Sequence, residues 1–170
     1  MRKIIYIGIM VAGVFFTSCE KDKIGGTATE SLAGEWYVTA DAVNADGSVW
    51  EEDLFGLGHF LLATYNTASN SATELWVDDS EHFWAFKSKV TADINTQTFS
   101  IDNADNEYYD CKVTILNGKI LPGVATTPSG MPADSIVFEI SFDDDTYPEQ
   151  YGYARYRISG YRYTGFTGDD

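Results

Sequence analysis

Along most of this chain apolar and polar residues alternate at every second position. In "SIVFEISFDDD", Ile136, Phe138, Ile140 and Phe142 fall on one side, with Val137, Glu139, Ser141 and Asp143 on the other. "FWAFKSKVTAD" sets Trp84, Phe86 and Val90 against Lys87, Lys89 and Thr91, and "DCKVTIL" repeats the pattern. A period of two belongs to strands with one buried face, because successive side chains point to opposite sides of a sheet. Turn-rich runs such as "NADGS", "NTASNS", "NADNE" and "TPSGMP" separate these stretches. Asn117-Gly118 inside "TILNGKIL" carries the usual chemistry of a two-residue hairpin turn. The pattern predicts strands over 35–43, 59–67, 73–78, 83–93, 97–102, 110–116, 118–121, 135–143 and 152–164. No stretch keeps a long helical period, and Glu51–Gly58 allows one turn before Gly56 and Gly58 interrupt it. Many short, evenly spaced strands predict an all-β domain. Hairpin-like spacing favours an up-and-down antiparallel barrel of about eight to ten strands.

The first residues follow a different logic. Arg2 and Lys3 precede an apolar run from Ile4 to Phe16, and the small residues Thr17 and Ser18 lead to Cys19. A basic start, a short apolar stretch and small residues before a cut make a secretory signal. The run of about 13 residues is shorter than the roughly 20 needed to span a bilayer. A cysteine directly after the cut is the arrangement of a bacterial lipoprotein, in which the thiol receives diacylglycerol. The expected organisation is a signal peptide over 1–18, a flexible tether over 19–31 and a β-barrel over 32–170. "CEKDKIGGTATES" supplies the polar, glycine-containing tether, with Cys19 as its lipidated end. The expected address is the outer membrane, facing the periplasm or the cell surface.

Charge narrows the partners. Loss of residues 1–18 removes two of the 11 basic residues and none of the 26 acidic ones, so the net charge moves from −15 to −17. Phosphate neutralisation needs a basic face, so nucleic acid is excluded as a partner. With Cys19 acylated, Cys111 has no partner within the chain. Its alternation with Val113 and Ile115 predicts a buried thiol.

The barrel opens on "LAGEWYV", in which Gly34-Glu35-Trp36 is a G-x-W that resembles the start of lipocalins and the wider calycin group. That resemblance implies a tryptophan at the closed end with a basic residue across its ring. The last strand offers Arg155, Arg157 and Arg162 for this barrel closure. "LAGEWYV", "LLATYNTA", "LWVDD" with "FWAFKSKV", "LNGKIL", "PSGMPADSIVFEISFDDD" and "ISGYRYTGF" together resemble the Bacteroidetes lipoproteins called lipid-binding putative hydrolases. The stretches run in order from Leu32 to Phe166. The resemblance implies a calycin-like barrel and lipid binding.

Candidate chemistry is sparse. There is no G-x-S-x-G, and His59 and His82 are the only histidines. A serine such as Ser80, Ser129 or Ser135 would have to meet one of them in space to act as a nucleophile. Asp78, Asp79, Glu81 and His82, and the run Asp143 to Asp145, carry metal-ligand residue types. They lack the spaced ligands of a calcium loop and read as solvated acidic turns. No cofactor and no metal is called for. The candidate lining of a lipophilic site is Trp84, Phe86, Val90, Phe138, Ile140 and Phe142, and a filled core is the competing reading for all six. Tyrosines 151, 153, 156, 161 and 163 allow an alternative, an outer face that stacks on glycan or on an envelope protein. The leading expectation is non-catalytic binding of a small lipophilic molecule by a membrane-anchored barrel.

Overall fold

Among the described residues there are nine strands and one short helix: β1 (Gly34–Val43), β2 (Val49–Glu51), β3 (Phe60–Asn66), β4 (Glu74–Asp78), β5 (Lys87–Asp93), β6 (Thr98–Asp105), β7 (Lys112–Thr126), β8 (Pro132–Phe142), α1 (Tyr147–Tyr151) and β9 (Arg155–Arg162). These come from a computed structural model that describes residues 26–169. The expected signal peptide over 1–18, Cys19 and the first part of the tether lie outside the described residues. Residues 27–33, the end of the expected tether and the first two residues of the expected barrel, fold into successive turns. Leu32 N–H bonds the Thr29 carbonyl, and both Thr29 and Leu32 are fully buried.

Each strand pairs antiparallel with the next, in the order β2-β1-β3-β4-β5-β6-β7-β8-β9, and β9 returns to β1. The closing seam runs from Trp36↔Arg162 to Val43↔Arg155. The result is a closed eight-stranded, up-and-down barrel with β2 as an additional strand. β1 outruns β3, whose pairing stops at Val38↔Phe60, and β2 takes the free upper length at Ala42↔Glu51.

Alternation explains the interior. Trp36, Val38, Ala40 and Ala42 of β1 point inward, as do Ile136, Phe138, Ile140 and Phe142 of β8, all at 6% exposure or less. Full burial of one such large apolar side chain stabilises the fold by about 1.5–3 kcal/mol, so a one-residue slip of register would expose the core face of a whole strand. Eight strands enclose a space about wide enough for the side chains that fill it. One contiguous core runs from Leu32 to Ile158 through every strand of the ring.

The structure departs from the alternation in three places. Asn117-Gly118 does not turn the chain, and β7 is continuous through both residues. Asn117 takes a left-handed φ of 56° and the register with β8 shifts between Leu116 and Lys119, which is a bulge. The residues beyond it keep their β8 partners, so a hairpin would have cost that ladder. Gly118 also lies so close to Phe99 that a Cβ would strike its ring. Second, β5 begins at Lys87 rather than Phe83, because residues 79–86 wrap around a buried carboxylate described below. Third, β2 and α1 form in segments where the alternation predicts neither strand nor helix.

Strand alternation sorts the connections to two ends. Residues 26–33, 67–73, 94–97, 127–131 and 163–169 lie at the end where β1 begins, here the closed end. Residues 44–48, 52–59, 79–86, 106–111 and 143–154 surround the opposite end, the mouth.

Candidate functional site

The closed end is built on Trp36. Its indole is fully buried, and Nε1–H donates to Thr64 Oγ1 at 2.9 Å, whose hydroxyl donates to the Leu32 carbonyl at 2.6 Å. The Arg162 guanidinium lies over the ring, Cζ 4.4 Å from the centroid. Arg162 Nε donates to Asp134 Oδ2 at 3.1 Å, and Nη1 donates to the Ala33 carbonyl at 3.0 Å. Gly34 makes room for this, since a Cβ there would collide with Nη1. The other two arginines face elsewhere. Arg155 pairs with Glu139 at 2.7 Å and Arg157 lies 3.6 Å from Asp41.

The mouth is stoppered by aromatic rings. Phe83 stacks on Phe60 with centroids 5.8 Å apart, Trp84 stacks on Phe142 at 5.1 Å, and Tyr156 meets Phe83 edge-on at 5.2 Å. Above this layer Phe55 stands within about 6 Å of Phe83, Trp84, Tyr147 and Tyr156.

Asp79 holds the stopper in place. Its carboxylate is fully buried and accepts the backbone N–H groups of Glu81, Phe83, Trp84 and Phe86 at 2.8–3.0 Å. Burial pushes this carboxyl above its usual range even against those four bonds. The loop around it needs left-handed backbone at Ser80, Glu81 and Ala85. Asp78 is opposite in balance. Burial raises it, but the Tyr65 and Tyr108 hydroxyls, the Ser80 N–H and nearby Lys87 outweigh burial and hold it below the usual range. Neither aspartate is the solvated turn residue that the sequence suggested.

The acidic run at 143–145 is likewise engaged. Asp143 accepts the Lys112 N–H, Asp144 accepts Trp84 Nε1–H and the Tyr109 hydroxyl, and Asp145 accepts the Tyr156 hydroxyl at 2.7 Å. Since Tyr156 gives its proton to Asp145, Tyr153 donates to Tyr156 at 2.7 Å. Burial, and then this chain of hydrogen bonds, push the Tyr156 phenol far above its ordinary value. Cys111 is buried just before β7 and accepts the Asn106 side-chain amide. Its sulfur approaches the Asp143 and Asp144 carboxylates, which the bonds above already employ.

On top of the stopper lies a cleft of ≈ 430 Å³ lined by Trp50, Glu51, Leu54, Phe55, Tyr147 and Tyr151. β2 supplies Trp50 and Glu51, the following turn supplies Leu54 and Phe55, and α1 supplies the tyrosines. Pro148 at the start of α1 and Gly152 at its end, with a left-handed φ of 87°, limit this helix to the turn that puts Tyr147 and Tyr151 on one side. Of the six expected lining residues, Phe86, Val90, Phe138, Ile140 and Phe142 pack in the core beneath, and Trp84 belongs to the stopper. The cleft residues escaped sequence reasoning. The exception was Tyr151, offered for an outer stacking face, and the signal for the pair was two tyrosines four apart with Pro148 after the first and Gly152 after the second.

No hydrolytic pair forms among the described residues. His59 is exposed and stacks on Tyr37 at 5.0 Å, while His82 Nδ1 lies 2.8 Å from the Asp79 carbonyl. Ser129 meets Thr127 and Ser135 donates to the Gly160 carbonyl, and among the described residues no hydrogen bond joins a serine to a histidine.

No curated protein sequence matches this chain. A family model described as "Lipid-binding putative hydrolase" matches residues 21–167, the entire barrel and its closing seam included. This chain belongs to the family of lipid-binding putative hydrolases.

Proposed function

We propose that this protein binds a small lipophilic ligand, without catalysis, in the aromatic cleft at the barrel mouth, and that diacylglycerol on Cys19 holds it at the outer membrane, facing the periplasm or the cell surface. The cleft carries the proposal. Its volume of ≈ 430 Å³ lies in the range of small-molecule sites, about 300–1,000 Å³. Its lining is apolar or aromatic except for Glu51, and contains no serine, cysteine or histidine. Each methylene moved there from water contributes about 0.8 kcal/mol. Glu51 and the acidic loops around it repel a free carboxylate, so the ligand class is a neutral or zwitterionic lipid rather than a fatty-acid anion.

The test is titration of the purified protein with a fluorescent monoacylglycerol, beside organic-solvent extraction and mass spectrometry of whatever it carries. Phe55→Ser and Tyr147→Ala should each weaken binding about tenfold, since either removes roughly 1.4 kcal/mol or more of apolar contact. Unchanged affinity in both variants would remove the cleft from the mechanism. Binding of an oligosaccharide instead, lost with the same substitutions, would replace lipid by glycan recognition. The anchor is checked separately by incorporation of labelled palmitate, which Cys19→Ala should abolish.

A further inference from the structure

The two ends of the barrel differ in charge. The mouth loops carry Asp46, Glu52, Asp53, Asp79, Glu81, Glu107, Asp110, Asp143, Asp144, Asp145 and Glu149, and no lysine or arginine. The described loops of the closed end carry Glu30 and Asp169, the latter buried and bonded to Ser129 N–H and the Thr164 hydroxyl. Exposed large apolar and aromatic side chains occur at both ends, and those of the mouth, from Val49 to Tyr151, are 38–53% exposed and stand among its acidic residues. The three most exposed large hydrophobic side chains of the described residues are Val124 at 67%, Phe166 at 67% and Met131 at 62%. Val124 lies near the end of β7, Met131 in the turn before β8 and Phe166 after β9, all towards the closed end. Met131 and Phe166 line one cleft of ≈ 520 Å³ with Ser129, Thr164 and Asp169.

The described chain also starts at this end. Ala28 N–H bonds Asn70 in the turn between β3 and β4. Seven residue steps separate Cys19 from Gly26, which span at most about 25 Å when fully extended. From these observations we infer that the closed end rests on a lipid bilayer through Val124, Met131 and Phe166, with the mouth cleft pointed into water. The inference rests on the Cys19 anchor proposed above.

Three physical terms favour that pose. A short tether keeps the closed end near the lipid surface. Burial of three exposed apolar side chains in the headgroup region recovers their transfer energy, as for other interfacial anchors. The acidic mouth is held away from lipid phosphates, whose field reaches about a Debye length. The opposite pose would press the ten acidic mouth residues that are not buried towards that surface and leave Val124, Met131 and Phe166 in water.

The experiment uses the full-length acylated protein in phosphatidylcholine vesicles that contain anionic phosphatidylglycerol. An environment-sensitive nitrobenzoxadiazole label is placed at Met131→Cys, Phe166→Cys and, at the mouth but outside the cleft, Glu107→Cys. All three positions are exposed, so labelling leaves the core untouched. Intact mass reports acylation of Cys19 in each sample. The expected result is blue-shifted emission at positions 131 and 166, with at least half of it quenched by doxyl-labelled lipid, and no lipid quenching at 107. Acylated, vesicle-bound protein whose three labels behave alike would overturn the orientation while leaving the anchor intact. An unmodified Cys19 would overturn the anchor and this pose with it.

Discussion

Replacing Arg162 by methionine tests whether the closed end depends on its cation. Methionine keeps an unbranched apolar stem but loses three interactions. The guanidinium lies 4.4 Å from the Trp36 centroid, and a partly buried contact of this kind stabilises by about 1 kcal/mol. Its bond to the Ala33 carbonyl is charge-assisted, at 3.0 Å, and contributes about 1.5 kcal/mol. The pair with Asp134 is about one-third exposed on both sides, so solvent screening leaves it at about 0.5 kcal/mol. The sum is about 3 kcal/mol, lowered to roughly 2–3 by relaxation of the methionine into the gap. With a urea slope of about 2 kcal/mol/M, the unfolding midpoint should fall by roughly 1–1.5 M. Arg157→Met is the control, because its 3.6 Å approach to Asp41 lies on the outer face and contributes no more than about 1 kcal/mol. Urea unfolding followed by circular dichroism compares them. If Arg162→Met unfolds within 0.25 M of the unsubstituted protein, or no earlier than Arg157→Met, the cation over Trp36 does not secure the closed end.

Two further expectations concern the same end. A Cβ on Gly160 would meet the Tyr37 carbonyl and lie 2.7 Å from the Val38 Cα, where β9 closes on β1. Gly160→Ala therefore has to part the seam, and should cost about 2–3 kcal/mol in the same urea assay; an unchanged midpoint would mean that the seam yields freely. Bonds from Ser129 and then Thr164 hold the Asp169 carboxyl at about 2, below its ordinary 3.8. A lowered native value gives stabilisation that is present above pH 4 and is lost as pH falls through about 2. The Ser129 amide proton shift, followed by NMR, should titrate near pH 2 and cease to titrate in Asp169→Asn. A midpoint near 4 would show that the carboxyl is not held.

The strands of the barrel were legible because half-buried strands write their geometry into the chain. Ile136, Phe138, Ile140 and Phe142 alternate in sequence and all face the interior. Residues governed by a single distant partner were not legible. Asn117-Gly118 has hairpin chemistry, yet a left-handed residue also makes a bulge, and only the β8 ladder selects between them. Trp84 and Phe86 alternate with their neighbours like strand residues, but the four amides bonded to Asp79 hold them in a loop. Arg162 carried a readable signal. It shares the parity of Tyr156 and Ile158, whose side chains are fully buried, whereas Arg155 and Arg157 have the opposite parity. The mouth cleft was least legible, since β2, a turn and α1 each supply two of its residues and meet only in the folded chain.

The barrel wall is not laced evenly. β1 and β9 share eight residue pairs, whereas β5 and β6 share three, Thr91↔Ser100 to Asp93↔Thr98. Above them no further β5–β6 residue pairs form, and the two segments are bridged by other bonds, the Glu107 N–H to the Lys87 carbonyl among them. The Ser88 hydroxyl donates to the Asp105 carbonyl, Lys87 N–H donates to Asn106 Oδ1, and Asn106 Nδ2 donates to the Ala85 carbonyl. Local opening follows the path that breaks the fewest bonds. This slit is that path, and Phe86, Val90 and Phe99 stand directly behind it. Amide exchange in the wall should start there, and breathing of this one stave would connect the dry interior with the outside while the rest of the ring stays shut.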